Sequence, residues 1–130
     1  MKKLIDLTSS VLISDISLYF RYATKSDIEN ADGRKNKECL ITKKASTLYI
    51  ALENEKVLYV GETSKSLKRR FISDGTGSHR EACGIWYKRM THVKYIQFSN
   101  EELPTMHRKL MEQALSIQFN PEFYGSRLNK

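Results

Sequence analysis

Two runs of sequence decide the fold: Thr47-Leu48-Tyr49-Ile50-Ala51-Leu52-Glu53 and Val57-Leu58-Tyr59-Val60-Gly61. Both are rich in β-branched, aromatic and aliphatic residues, and polar Asn54-Glu55-Lys56 separates them. Such a pattern is a β-hairpin. Side chains alternate across a strand, so the loop length sets which way Tyr49 and Tyr59 point. An odd loop, such as Asn54 to Lys56, puts both on one face. A two-residue loop puts them on opposite faces.

Downstream, Thr63 to Ile72 has Ser and Thr for an N-cap and Leu67 four residues before Phe71. The spacing gives a short amphipathic helix, ended by the turn residues Asp74-Gly75-Thr76-Gly77. Ser78-x-x-Glu81 fits a capping box, and a second helix is expected from about Ser78 to Met90. Val93 to Phe98 is a third strand. Pro104 suits the first turn of a last helix. An apolar stripe of Leu103, Met106, Leu110, Ala114 and Ile117, widened by Met111 and Leu115, is its expected core face. Asn120-Pro121 closes it. The order β-β-α-α-β-α is an α+β class, with a small three-stranded sheet flanked by helices. Residues 47–130 form the expected core and residues 1–46 an N-terminal extension packed on it. In that extension Asn30 to Lys37 is a loop with Asp32-Gly33 at its turn. Ile13 to Ala23 is too short in its apolar runs to decide between helix and strand.

The chain has 130 residues, 40% hydrophobic and 28% charged, a soluble single-domain profile. No apolar run approaches the ~20 residues of a membrane span. Met1-Lys2-Lys3-Leu4-Ile5-Asp6 forms no signal-peptide pattern. Cys39 and Cys83 lie outside any metal-binding spacing and are expected as reduced thiols of a cytoplasmic protein. Lys plus Arg number 22 against 15 acidic residues, a net charge of +7. That balance suits a polyanion partner.

The stretch from Leu48-Tyr49-Ile50 through Tyr59-Val60-Gly61 to Leu67-Lys68-Arg69-Arg70 resembles the GIY-YIG nuclease motif. In that motif two strands carrying G-I-Y and Y-I-G precede a helix with L-x-x-R. Glu112-Gln113-Ala114-Leu115-Ser116-Ile117 followed by Pro121 is similar to the family's E-x-x-L-I…P signature. The resemblance covers residues 47 to about 124. It implies a metal-dependent endonuclease acting on DNA, with Tyr49, Tyr59, Arg70 and Glu112 as catalytic residues. Glu112 would hold one divalent ion, Mg²⁺ or Mn²⁺, hard ions that suit carboxylate oxygen. Arg70 would stabilise charge on the attacked phosphate, as a guanidinium binds two of its oxygens at once. One or both tyrosines would position or deprotonate the attacking water. A free tyrosine has a pKa near 10 and needs positive charge beside it to act as base.

Lys65, Lys68, Arg69, His79 and Arg80 are the expected DNA contacts. Arg69 competes with Arg70 for the catalytic place. Arg34, Lys35 and Lys37, with Lys43 and Lys44, form a candidate phosphate-contact arm. A homodimer would favour cutting both strands. The residues taken alone read Glu112 differently. It falls nearly opposite the apolar stripe, four residues after Arg108, the place of an exposed helix glutamate with a weak ion pair. His107 is expected beside the apolar face of that helix, and Trp86 and Tyr87 in the core and at its rim. The chain departs from the family pattern at Thr47 (glycine in relatives), Glu62 (often lysine), Asp74 (His or Tyr in some) and Tyr124 (often asparagine). These departures keep two other readings open: a binding-only module of the same fold, and a subunit active only within a larger complex.

Overall fold

The computed structural model describes residues 19–73 and 86–123. Six elements organise them: β1 (Arg21–Thr24), α1 (Lys25–Asn30), β2 (Ser46–Glu53), β3 (Lys56–Thr63), β4 (His92–Phe98) and α2 (Thr105–Phe119). The strands form one antiparallel sheet in the order β1-β4-β2-β3. The α+β class stands, but the sheet has four strands where three were expected. The extra strand is Arg21-Tyr22-Ala23-Thr24, which pairs with β4. It is only four residues long and buries only Ala23, so its sequence carries no alternation to read. Residues of the N-terminal extension thus hydrogen-bond into the same sheet as the core.

β2 is buried on both faces, from Ser46 to Leu52. Its odd-numbered Tyr49 and Ala51 join Tyr59, Val93 and Tyr95 in one core layer, closed by Ile28, Leu67, Phe71, Trp86 and Met90. Its even-numbered Leu48, Ile50 and Leu52 join Val60, Ile96 and Phe98 in the other, closed by Leu103, Met111 and Leu115. This period of two is what the pleat imposes.

The hairpin resolves the question of tyrosine parity in an unanticipated way. Glu53 pairs with Lys56, which leaves a two-residue loop, Asn54-Glu55. Asn54 adopts φ 54°, the left-handed region that asparagine tolerates well. Such a loop alone would split the tyrosines between faces. The register shifts between Ala51 and Leu52, however, and Leu58 becomes an extra residue on β3. The bulge restores the parity. Tyr49 then pairs with Gly61 and Ala51 with Tyr59, so both phenols lie on one face. The Leu58 carbonyl accepts a 2.8 Å hydrogen bond from Phe123 N–H.

The helix expected from Thr63 starts later, because β3 runs to Thr63. Ser66 caps it: its Oγ accepts from Arg69 N–H at 3.1 Å, and its carbonyl from Arg70 N–H at 3.0 Å. Leu67 and Phe71 are buried as their spacing implied, and Arg69–Ser73 is wound as a π-helix. Of the helix expected over 78–90, Trp86 to Arg89 are helical; the rest lies outside the described residues. Trp86 is fully buried and Tyr87 half-buried, as core and rim.

α2 is rotated away from its expected face. Met106, Leu110 and Ile117 are 74%, 57% and 83% exposed, while Arg108, Met111, Leu115 and Ser116 are buried. The physical reason lies across the interface. The Glu62 carboxylate and the Ser46 hydroxyl on the sheet supply partners for a buried Arg108. A stripe counted only from apolar residues misses a face that buries a cation.

Candidate functional site

Tyr49 projects from the centre of the sheet, and its ring crosses over Gly61 on the neighbouring strand. A Cβ at position 61 would stand 2.4 Å from the Tyr49 Oη and 2.4 Å from its Cζ. Only glycine leaves room for the phenol to reach past β3. There the Arg70 Nε–H donates to the Tyr49 Oη at 3.1 Å. Phe71 meets the same ring edge-on at 4.9 Å. Tyr59 lies 6.2 Å from Tyr49, centroid to centroid, and stacks on Trp86 at 4.9 Å with an 8° tilt. Tyr49 is fully buried and Tyr59 nearly so.

Arg70 opens onto a cleft of about 390 Å³ at the end of β3. Its walls are Glu62, Thr63, Ser64, Lys65 and Arg70 on one side and Thr105, Arg108 and Lys109 of α2 on the other. Four cations line it against one carboxylate, itself paired with Arg108, so the net charge of its walls is positive. Arg108 is 4% exposed. Its Nε–H donates to Glu62 Oε2 at 2.8 Å and its Nη1 to Ser46 Oγ at 3.1 Å, while the Ser46 hydroxyl donates to the Leu103 carbonyl at 2.6 Å. Buried charge is tolerable when paired and hydrogen-bonded in this way.

Of the expected catalytic residues, Tyr49, Tyr59 and Arg70 come together. Of the four, only Arg70 lines the cleft; α2, which carries Glu112, packs on the sheet face opposite the two phenols. Glu112 is half-buried, one turn beyond Arg108. Burial holds its carboxyl above the usual carboxylate range, and the charge of Glu62 adds to this. The Ser116 Oγ donates to Glu112 Oε1 at 3.2 Å and works the other way. The exposed, Arg108-paired glutamate of the sequence reading is thus replaced by a half-buried one whose charged neighbour is Glu62. No family model, curated protein or solved structure matches this chain.

Among the described residues no group of three His, Cys, Asp or Glu could hold a metal ion, and none of the described helices is long and apolar enough to cross a membrane. Glu62 and Glu112 are near enough for the charge of Glu62 to act on the Glu112 carboxyl. Lys65 is exposed at the cleft and Arg69 is exposed beside it. Lys68 is directed elsewhere: its Nζ donates to the Glu29 and Ala31 carbonyls at the end of α1. His79 and Arg80 lie outside the described residues. Arg34, Lys35, Lys37, Lys43 and Lys44 are all exposed. His107 is half-buried on α2, its Nδ1 buried without a hydrogen bond.

The sequence reading did not single out Ser46, Thr105 or Lys109, took Arg108 only as a weak ion-pair partner for Glu112, and took Glu62 only as a departure from the family pattern. A signal for Arg108 was present. It stands three residues before Met111 and four before Glu112, on the row that continues to Leu115 and Ser116.

Proposed function

We propose that this protein is a metal-dependent endonuclease hydrolysing DNA phosphodiester bonds, as its resemblance to GIY-YIG nucleases implies. The observation that carries the reading is the Arg70–Tyr49 hydrogen bond at the mouth of a basic cleft. Hydrolysis needs a water aimed at phosphorus and a charge clamp on the non-bridging oxygens. The Arg70 guanidinium supplies the clamp, with Lys65 and Lys109 adding field. The same guanidinium donates to the oxygen of the buried Tyr49, which fixes Arg70 at the cleft, and the resemblance gives the tyrosines the task of positioning the attacking water. Tyr59 fixes the Tyr49 ring from the side. By the resemblance the Glu112 carboxylate would hold one hard divalent ion, which usually takes one or two carboxylates and keeps its remaining waters. When bound, Mg²⁺ or Mn²⁺ would supply Lewis-acid charge and polarised water.

Plasmid nicking in Mg²⁺, Mn²⁺ and EDTA tests this. Metal-dependent nicking by the wild type, abolished in Arg70→Ala and in Glu112→Gln with the fold intact, is the expected result. Full activity in either variant rejects the site. A binding-only module is the second reading, favoured by the position of Glu112 outside the cleft and by the engagement of Glu62 with Arg108. It predicts retardation of DNA without cutting in every metal.

A further inference from the structure

At the edge of the sheet away from the cleft, Tyr22 of β1 and Lys94 of β4 are exposed. α2 covers the sheet over β3 and β2. Tyr22 and Lys94 stand opposite each other in register, and Thr24 pairs with His92. These side chains share the face of Ile96 by the alternation of the strand. The Tyr22 ring is 61% exposed and rests at 4.7 Å and 33° against the His92 ring. Lys94 is exposed beside it, Arg21 is exposed on the opposite face with Tyr95, and Tyr19, 62% exposed, lies three residues upstream. The acidic residue that follows β1, Asp27, is engaged in a capping box with Thr24. Burial, and then the charge of Lys94, holds the His92 imidazole below its ordinary range, which keeps it a neutral ring at pH 7.

We propose that Tyr22, backed by His92 and paired across the strands with Lys94, is a stacking platform for an unpaired base of single-stranded DNA. An exposed ring with a lysine on its rim matches a base with its attached phosphate: the ring takes the π-face and the ammonium takes the charge. An apolar protein partner would have to bury Lys94 beside the ring without a counter-charge. In a duplex the base faces are already stacked, so the platform selects an unpaired strand. The proposal rests on the nucleic-acid reading above and adds a second contact remote from Arg70.

The test is fluorescence anisotropy in EDTA with a labelled oligothymidylate and a blunt duplex. Tyr22→Ala should lower the ratio of oligothymidylate to duplex affinity about ten-fold, in line with loss of one stacked base. Tyr22→Phe should retain the ratio, and Lys94→Ala should reduce the salt slope by about one counterion. Oligothymidylate bearing 5-iodouracil should crosslink to the peptide containing Tyr22. An unchanged ratio in Tyr22→Ala, or crosslinking only elsewhere, overturns the platform and leaves the nuclease reading standing if the wild type still nicks plasmid. A wild type that neither binds nor cuts DNA overturns both. Because Tyr22 is exposed, its variants are expected to melt with the wild type.

Discussion

Arg108 and Glu62 meet at 2.8 Å across the seam between α2 and the sheet, and the Arg108 side chain is only 5% exposed. One partner sits in a wall of the cleft that the other also lines, so a single ion pair fixes the distance between its two sides.

Arg108→Ala leaves Glu62 and Ser46 facing a void. Removing one member of a buried pair costs about 3–5 kcal/mol, and this pair, with Glu62 partly exposed, is expected near the lower end. Urea denaturation measures it; a loss below about 1 kcal/mol would show that solvent replaces the pair freely.

Gly61→Ala places a methyl where the Tyr49 phenol lies. The ring must withdraw, at about 1–3 kcal/mol for overpacking, and its bond to Arg70 breaks. Tyr49→Leu in the same chain should relieve part of that cost. A double-mutant cycle with purely additive losses would refute the close approach.

Glu112 titrates above the ordinary glutamate range in the folded protein. Between the unfolded and folded values the native state binds more protons, so stability falls as pH rises through that window. Glu112→Gln should therefore be more stable than wild type at pH 7, the difference vanishing at pH values below the ordinary glutamate range. Equal denaturation midpoints at neutral pH would contradict the burial of this carboxyl.

The rotation of α2 has a direct test in paired substitutions. Leu115→Ala should cost about 2–5 kcal/mol, as a buried leucine does. Ile117→Ala, at 83% exposure, should stay within about 0.5 kcal/mol of wild type. Thermal melts that reverse this order would restore the stripe expected from periodicity.

Much of this was legible. The hairpin, the strand ending at Phe98, the Leu67–Phe71 pair and the last helix all carry short-range patterns that survive folding. The meeting of Tyr49 and Arg70 followed from a motif resemblance, not from spacing. Three features were hidden because each depends on a partner distant in sequence. β1 is a strand through β4, which supplies its hydrogen bonds. The buried face of α2 is set by Glu62 and Ser46, and no count along the helix contains them. The two-residue loop and the Leu58 bulge offset each other, so the parity of the tyrosines came out as an odd loop would give, by a different route.

That offset makes the hairpin an odd–even counter. Removing Leu58, or adding one residue between Ala51 and Tyr59, would turn Tyr59 through the sheet and away from Trp86, whatever residue was chosen. Changes of two residues would restore the side it faces. Length variation in this segment is therefore expected to be tolerated in steps of two, a constraint set by arithmetic on the chain and not by the chemistry of any side chain.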